Sequence, residues 1–132
     1  MVFGRMPLAI SARCFHARAH HLHKDGCQFV CGKDADGLTI RTLDAMAFLA
    51  INGTQTLSHT CLNLMAELAA LRQMGITRYR LSPHSVDMVA VARLFRDIVD
   101  GRMSPVEGTA MLRNLTPEMP FSNGFFHDVA GL

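Results

Sequence analysis

The sequence predicts an α/β fold in the form of a parallel (β/α) half-barrel, the C-terminal half of a TIM-barrel-like domain. Patterns typical of strands alternate with patterns typical of helices, as in a parallel sheet covered by helices. The chain has 132 residues, roughly half of the about 250 in a complete (β/α)8 barrel. We therefore expect residues 1–132 to form a single partial domain. Four residues follow candidate strands, where barrels carry functional groups: Cys14, Thr42, Ser58 and Ser82.

Parallel strands are predicted at residues 1–3, 38–42 and 77–82. The first is a short apolar segment without a helix cap, and the other two alternate apolar and polar side chains, as half-buried strands do. The apolar run Ala47–Ile51 fits either a buried strand or a turn of helix, and the turn signal Asn52-Gly53 follows it. A half-barrel leaves its edge strands open, so we expect the chain to be part of a longer protein.

Helices are predicted at residues 61–74, 86–100 and 105–115. For the first, Thr60 is the expected cap, leucines recur at helical spacing, and Gly75 is the expected stop. For the third, Ser104-Pro105-Val106-Glu107 combines a serine cap, proline at the first position and glutamate at the third. The tail from Pro120 onward is predicted to be loop.

The segment from Cys14 to Cys31 contains three of the four cysteines, and four histidines lie between them. Thiolates suit iron–sulfur clusters and zinc. We predict a metal site in this loop with Cys14, Cys27 and Cys31 as local ligands and a fourth ligand elsewhere. One alternative is a Cys3His zinc site completed by a loop histidine, and another is three ordinary thiols. Histidines within reach as a fourth ligand are His20, His21 and His23.

The bulk composition restricts the classes of partner. The net charge of +2 is too mild to indicate a nucleic acid or a membrane surface. The longest apolar runs are far short of the about 20 residues of a membrane span, and no signal peptide is evident. Reduced cysteines and a cytoplasmic location are therefore expected. Four arginines are candidates for binding an anionic substrate, with surface ion pairs as the alternative: Arg13, Arg41, Arg78 and Arg80.

Three stretches together resemble the collagenase-like peptidase family, numbered thirty-two in class U: Ser11–Cys14, Cys27–Cys31 and Phe121–His127. The spacing of twelve residues between Cys14 and Cys27, and of three between Cys27 and Cys31, is similar to one branch of that family. That branch serves oxygen-independent ubiquinone biosynthesis. The stretches Asn52–Ser58 and Met74–Pro83 add to the resemblance, which runs over nearly the whole chain.

The resemblance implies a 4Fe-4S cluster bound by Cys14, Cys27 and Cys31. It also implies a heterodimer with a UbiU-like partner, which supports hydroxylation of a ubiquinone precursor without oxygen, and no peptidase activity. The family's first cysteine lies upstream, in the half that we expect to be missing, and Cys61 does not match it. We expect Cys61 to be a core residue. The alternative function is a non-enzymatic structural or interaction module stabilised by zinc or a cluster.

Overall fold

The structure is a computed structural model that describes residues 1–131, with Lys24 described by its backbone only. The chain divides into two compact units. One comprises Arg5–His59, and the other comprises Met1–Gly4 together with the chain from Thr60 onward. We refer to them as the loop unit and the helical unit.

The elements follow one another in a simple order along the chain. The strands and helices are β1 Phe3–Ile10, α1 Phe15–Ala19, β2 Leu38–Arg41, β3 Ala47–Asn52, β4 Gln55–Asn63, α2 Leu68–Gln73, α3 Met88–Val99, α4 Pro105–Leu115 and β5 Phe121–Ser122. Short 3-10 helices lie at Lys24–Gly26, Val30–Lys33 and Gly124–His127. No helix in the described part of the chain has the length and apolar character needed to cross a membrane.

The predicted parallel half-barrel is wrong, because the sheet is mostly antiparallel. Its strand order is β1-β4-β3-β2, β5 pairs with β4, and both β2 with β3 and β3 with β4 are antiparallel. The connections explain the difference. Strands β3 and β4 are joined by Gly53 and Thr54 alone, and Gly53 has a φ of +61°, as tight hairpin turns require. A parallel pair would need a crossover of about a dozen residues or more.

The loop unit has a very small apolar core. Its buried apolar side chains among the described residues are Ala17, Val30 and Ala50. Strand β3 pairs with β2 on one side, where Leu38 lies opposite Ile51, and with β4 on the other, where Leu49 lies opposite Ser58. The register of β2 shifts between Ile40 and Arg41. Domains with little apolar burial usually depend on cross-links or bound metals for stability.

The helical unit has the larger core, and it contains parallel pairings. Its fully buried side chains include Phe3, Met65 and Leu112, and the Phe3 ring lies 5.9 Å from the rings of both His84 and Phe95. Residues 77–82, predicted as a strand, form only a parallel bridge between Phe3 and Leu81. Parallel pairs also join Cys61 to Phe121 and Leu62 to Ser122.

Helix α4 confirms the predicted range of residues 105–115, and both halves of the Ser104–Glu107 capping box are present. Helix α3 lies within the predicted range of residues 86–100. The predicted helix over residues 61–74 is correct only in its second half, because Thr60–Asn63 belong to β4. Thr60 is therefore a strand residue and not a helix cap.

We predict that Gly4→Ala destabilises the helical unit by more than the cost of a positive φ alone. Gly4 has a φ of +107°, and an added Cβ would lie 2.6 Å from Cβ of Ser82. The left-handed backbone costs an alanine about 1–2 kcal/mol, and the contact adds to that cost. Gly101→Ala is the matched control, since Gly101 has a φ of +72° with nothing within 4 Å of an added Cβ. The free energy of unfolding of both variants is measured by urea unfolding, monitored by circular dichroism. An equal decrease in the two variants would contradict the contribution of the Ser82 contact.

Candidate metal centre

Cys14 lies at the start of α1, where its side chain caps the helix. The Cys14 sulfur accepts a hydrogen bond of 3.4 Å from the Ala17 amide. Such caps satisfy an amide that has no partner within the helix. The cap gives the half-buried sulfur a defined direction.

Cys27 and Cys31 flank a turn with an unusual backbone. Cys27 is in the right-handed helical region, whereas Gln28 and Phe29 have φ values of 50° and 52°. A right-handed residue followed by a left-handed one can direct successive amides toward one concave side, a geometry that many iron–sulfur and phosphate sites use. Both cysteines are half-buried, and all four cysteines of the chain carry free thiols.

The three predicted cysteine ligands do not form a site for a single ion. Among the described residues, the one group whose potential ligand atoms all lie within 4.8 Å of one another consists of His16, His20 and Asp34, and it contains no cysteine. Each cysteine of a four-iron cluster binds a different iron, so cluster ligands stand farther apart than the ligands of one ion. Cys14, Cys27 and Cys31 as cluster ligands therefore remain a prediction.

The group of His16, His20 and Asp34 lies inside the same loop. His16 is fully buried, its Nδ1 is 3.2 Å from the Ile51 carbonyl oxygen, and its Nε2 is 2.9 Å from Oδ2 of Asp34. Nε2 of His20 is 3.6 Å from that same oxygen, and the two imidazole rings stack with centroids 5.4 Å apart. Sequence reasoning missed this group. Asp34 lies outside the predicted metal loop, which ends at Cys31, and His16 was not among the histidines considered as a fourth ligand.

A basic cavity lies beside Cys14. Its volume is about 510 Å³, and its lining is Ala12, Arg13, Cys14, Arg18, His21, Leu22 and His23. Arg13 and Arg18 give this cavity positive charge, and anion binding by Arg13 stays a prediction. Arg41, another anion candidate, instead donates a hydrogen bond of 2.8 Å to the Ala45 carbonyl.

The helical unit holds a second polar group that the sequence did not reveal. Glu67 is 8% exposed, and its Oε1 accepts a hydrogen bond of 2.8 Å from the Asn123 side chain and lies 3.1 Å from Nε2 of His127. Both partners come from Phe121–His127, which had been predicted as loop. In the same unit Cys61 is fully buried, which confirms it as a core residue, although in β4 and not in a helix.

No family model matches this chain, and no solved structure is significantly similar to it. The resemblance to the collagenase-like peptidase family therefore remains an interpretation of the sequence.

We predict that His59 makes the chain less stable in mild acid. Burial lowers the pKa of His59 below 6.5, and the positive charges of Arg5 and Arg41 add to that effect. The unfolded chain then binds a proton at a higher pH than the folded chain, so the free energy of unfolding falls as the pH decreases from about 7 to about 5. His59→Gln should flatten this pH dependence in urea unfolding experiments with a chelator present. The exposed His23→Gln should leave it unchanged, and an unaltered slope in His59→Gln would contradict the prediction.

Proposed function

We propose that the chain is a UbiV-like iron–sulfur component of oxygen-independent ubiquinone biosynthesis, acting in the cytoplasm with a UbiU-like protein partner. In this proposal Cys14, Cys27 and Cys31 supply three of the ligands of a 4Fe-4S cluster. The chain supports hydroxylation of a ubiquinone precursor and has no peptidase activity.

The observation that carries the proposal is the cysteine spacing. Twelve residues lie between Cys14 and Cys27, and three lie between Cys27 and Cys31. Cysteines at several positions of one loop, with histidines between them, favour metal binding over structural disulfides in a protein that we propose to be cytoplasmic. The spacing also distinguishes these three residues from Cys61, which lies thirty positions beyond Cys31 and is buried in the core.

Three features of the loop unit support an anionic, thiolate-bound cluster. The three sulfurs are half-buried free thiols, which leaves them accessible to incoming iron. The turn at Cys27–Phe29 has the backbone geometry that often donates amides to cluster sulfurs. Arg13 and Arg18 line the cavity at Cys14, and their charges favour the negative charge that thiolates bring to a cluster.

We expect anaerobic reconstitution with iron and sulfide, in the presence of a UbiU-like partner, to give a cluster that depends on the three cysteines. Each of Cys14→Ser, Cys27→Ser and Cys31→Ser should lose most of the iron, the sulfide and the visible absorption, because serine oxygen is a poor ligand for a soft cluster. Iron and sulfide are measured per chain after gel filtration.

Cys61→Ala is the matched control for these substitutions. It removes a thiol from the core and should keep the cluster, provided that circular dichroism shows the variant to be folded. Loss of iron in Cys61→Ala together with full retention in Cys14→Ser would contradict the ligand assignment.

A second experiment separates the redox function from the alternative of a metal-stabilised structural or interaction module. The chain is expressed without oxygen in cells that lack their own UbiV-like gene, and their ubiquinone content is measured. If the natural chain restores the ubiquinone content and the Cys27→Ser variant does not, the result supports the proposed function. A chain that binds metal normally but does not restore ubiquinone favours the structural module, which the very small core of the loop unit also suggests.

A further inference from the structure

We propose that His16, His20 and Asp34 form a separate site for a divalent first-row transition metal, with two imidazole nitrogens and one carboxylate oxygen as ligands. Nothing in the cysteine-based function requires this site. It lies in the loop unit and uses none of the thiols.

The distances agree with those between ligands of one metal ion. Zinc binds histidine nitrogen and carboxylate oxygen at about 2.0–2.2 Å, so two ligand atoms of a tetrahedral site stand about 3.3 Å apart. Nε2 of His16 and Nε2 of His20 lie 2.9 Å and 3.6 Å from Oδ2 of Asp34. Small side-chain adjustments would bring all three atoms onto one ion.

The hydrogen bond from His16 to Ile51 prepares the imidazole for metal binding. A carbonyl oxygen only accepts, so Nδ1 of His16 must carry the hydrogen in the contact of 3.2 Å with Ile51. In a neutral ring, Nε2 then has a lone pair, and that lone pair faces a carboxylate oxygen at 2.9 Å. Two acceptors at that distance repel each other unless a proton or a cation lies between them. Metal-binding histidines commonly donate their other ring N–H to a backbone carbonyl in this way.

His20 provides an independent observation that a ligand is expected. Its Nε2 is buried and has no hydrogen-bond partner among the described residues. The Asp34 oxygen at 3.6 Å is too distant for a hydrogen bond. A buried polar atom without a hydrogen-bond partner is unfavourable, and a shared cation would give Nε2 of His20 a partner.

The backbone holds the three ligands in place. His16 and His20 are one helical turn apart, at the start and the C-cap of α1. The Asp34 amide donates to the Cys31 carbonyl at 3.3 Å, and the Asp34 carbonyl accepts from the Gly37 amide at 2.8 Å. Two histidines and one carboxylate leave at least one coordination position for water or a substrate. Zinc and ferrous iron both use this donor set, whereas magnesium and calcium prefer oxygen ligands.

The test uses the full chain with Cys14, Cys27 and Cys31 all replaced by serine, so that thiolates cannot bind the probe. Zinc is titrated by calorimetry, with calcium as a negative control, and we expect one zinc per chain. In that background His20→Ala and Asp34→Asn should each weaken zinc binding by about tenfold or more, since even outer-shell changes cost 10–100-fold. Their controls are the exposed residues His127→Ala and Asp25→Asn, which should leave zinc binding unchanged.

Two measurements on the natural chain keep the proposal testable if the triple variant does not fold. After the free thiols are blocked with iodoacetamide, bound cobalt should show visible bands without sulfur-to-metal charge transfer, and long-range nitrogen NMR should show zinc on Nε2 of His16 with hydrogen on Nδ1. Three results would overturn the proposal. They are a lack of zinc binding, an equal weakening of zinc binding in the control variants, and hydrogen on both His16 nitrogens when zinc is present.

Discussion

The burial of His16 is the constraint on which the loop of residues 14–34 depends. The ring is fully buried, and both of its nitrogens lie beside acceptors, at Ile51 on β3 and at Asp34. Losing the Ile51 carbonyl would leave the buried Nδ1–H without an acceptor, at a cost of about 1–3 kcal/mol. The ring therefore connects helix α1, strand β3 and the end of the 3-10 helix at Val30–Lys33 in a single arrangement. That arrangement also positions the neighbouring cysteines, because the Cys14 sulfur caps α1 and the Cys31 carbonyl accepts a hydrogen bond from the Asp34 amide.

Helices α3 and α4 could be predicted because their signals are local. The Ser104–Glu107 box is complete within four residues, and Asp87 accepts from the Ala90 amide at the start of α3. The strands could not be predicted in the same way. Cys61 and Leu62 lie in a segment with helical leucine spacing, but they pair with Phe121 and Ser122, which are far away in sequence. Tertiary pairing of that kind overrides local periodicity. The Asn52-Gly53 turn signal was visible in the sequence, and it implied an antiparallel pair that the expected parallel sheet did not allow.

The sequence predicted a metal site in the loop of residues 14–31, but it did not predict the group of His16, His20 and Asp34. Clustered cysteines and histidines identified residues 14–31 as the loop for metal chemistry, and His16 and His20 lie within it. Asp34 lies outside those bounds, in a stretch whose composition indicates only a turn. Its role depends on a 3-10 helix at Val30–Lys33 that brings a carboxylate back toward α1. No local pattern signals that return, since it is fixed by the burial of His16.

The small core of the loop unit gives a physical reason why a bound metal would stabilise it. Only Ala17, Val30 and Ala50 are buried apolar side chains in its described residues, and two of the three are alanines. At about 25 cal/mol per Å² of buried apolar surface, such a core contributes little against the conformational entropy of a loop from Ser11 to Gly37. A metal that binds only the folded loop adds its binding free energy directly to folding. Soft thiolates and the imidazole–carboxylate group would select different metals, so the two sites can act independently in stabilising one segment. The helical unit has an extensive apolar core of its own, centred on Phe3, Met65 and Leu112, and it therefore has no comparable need for a metal.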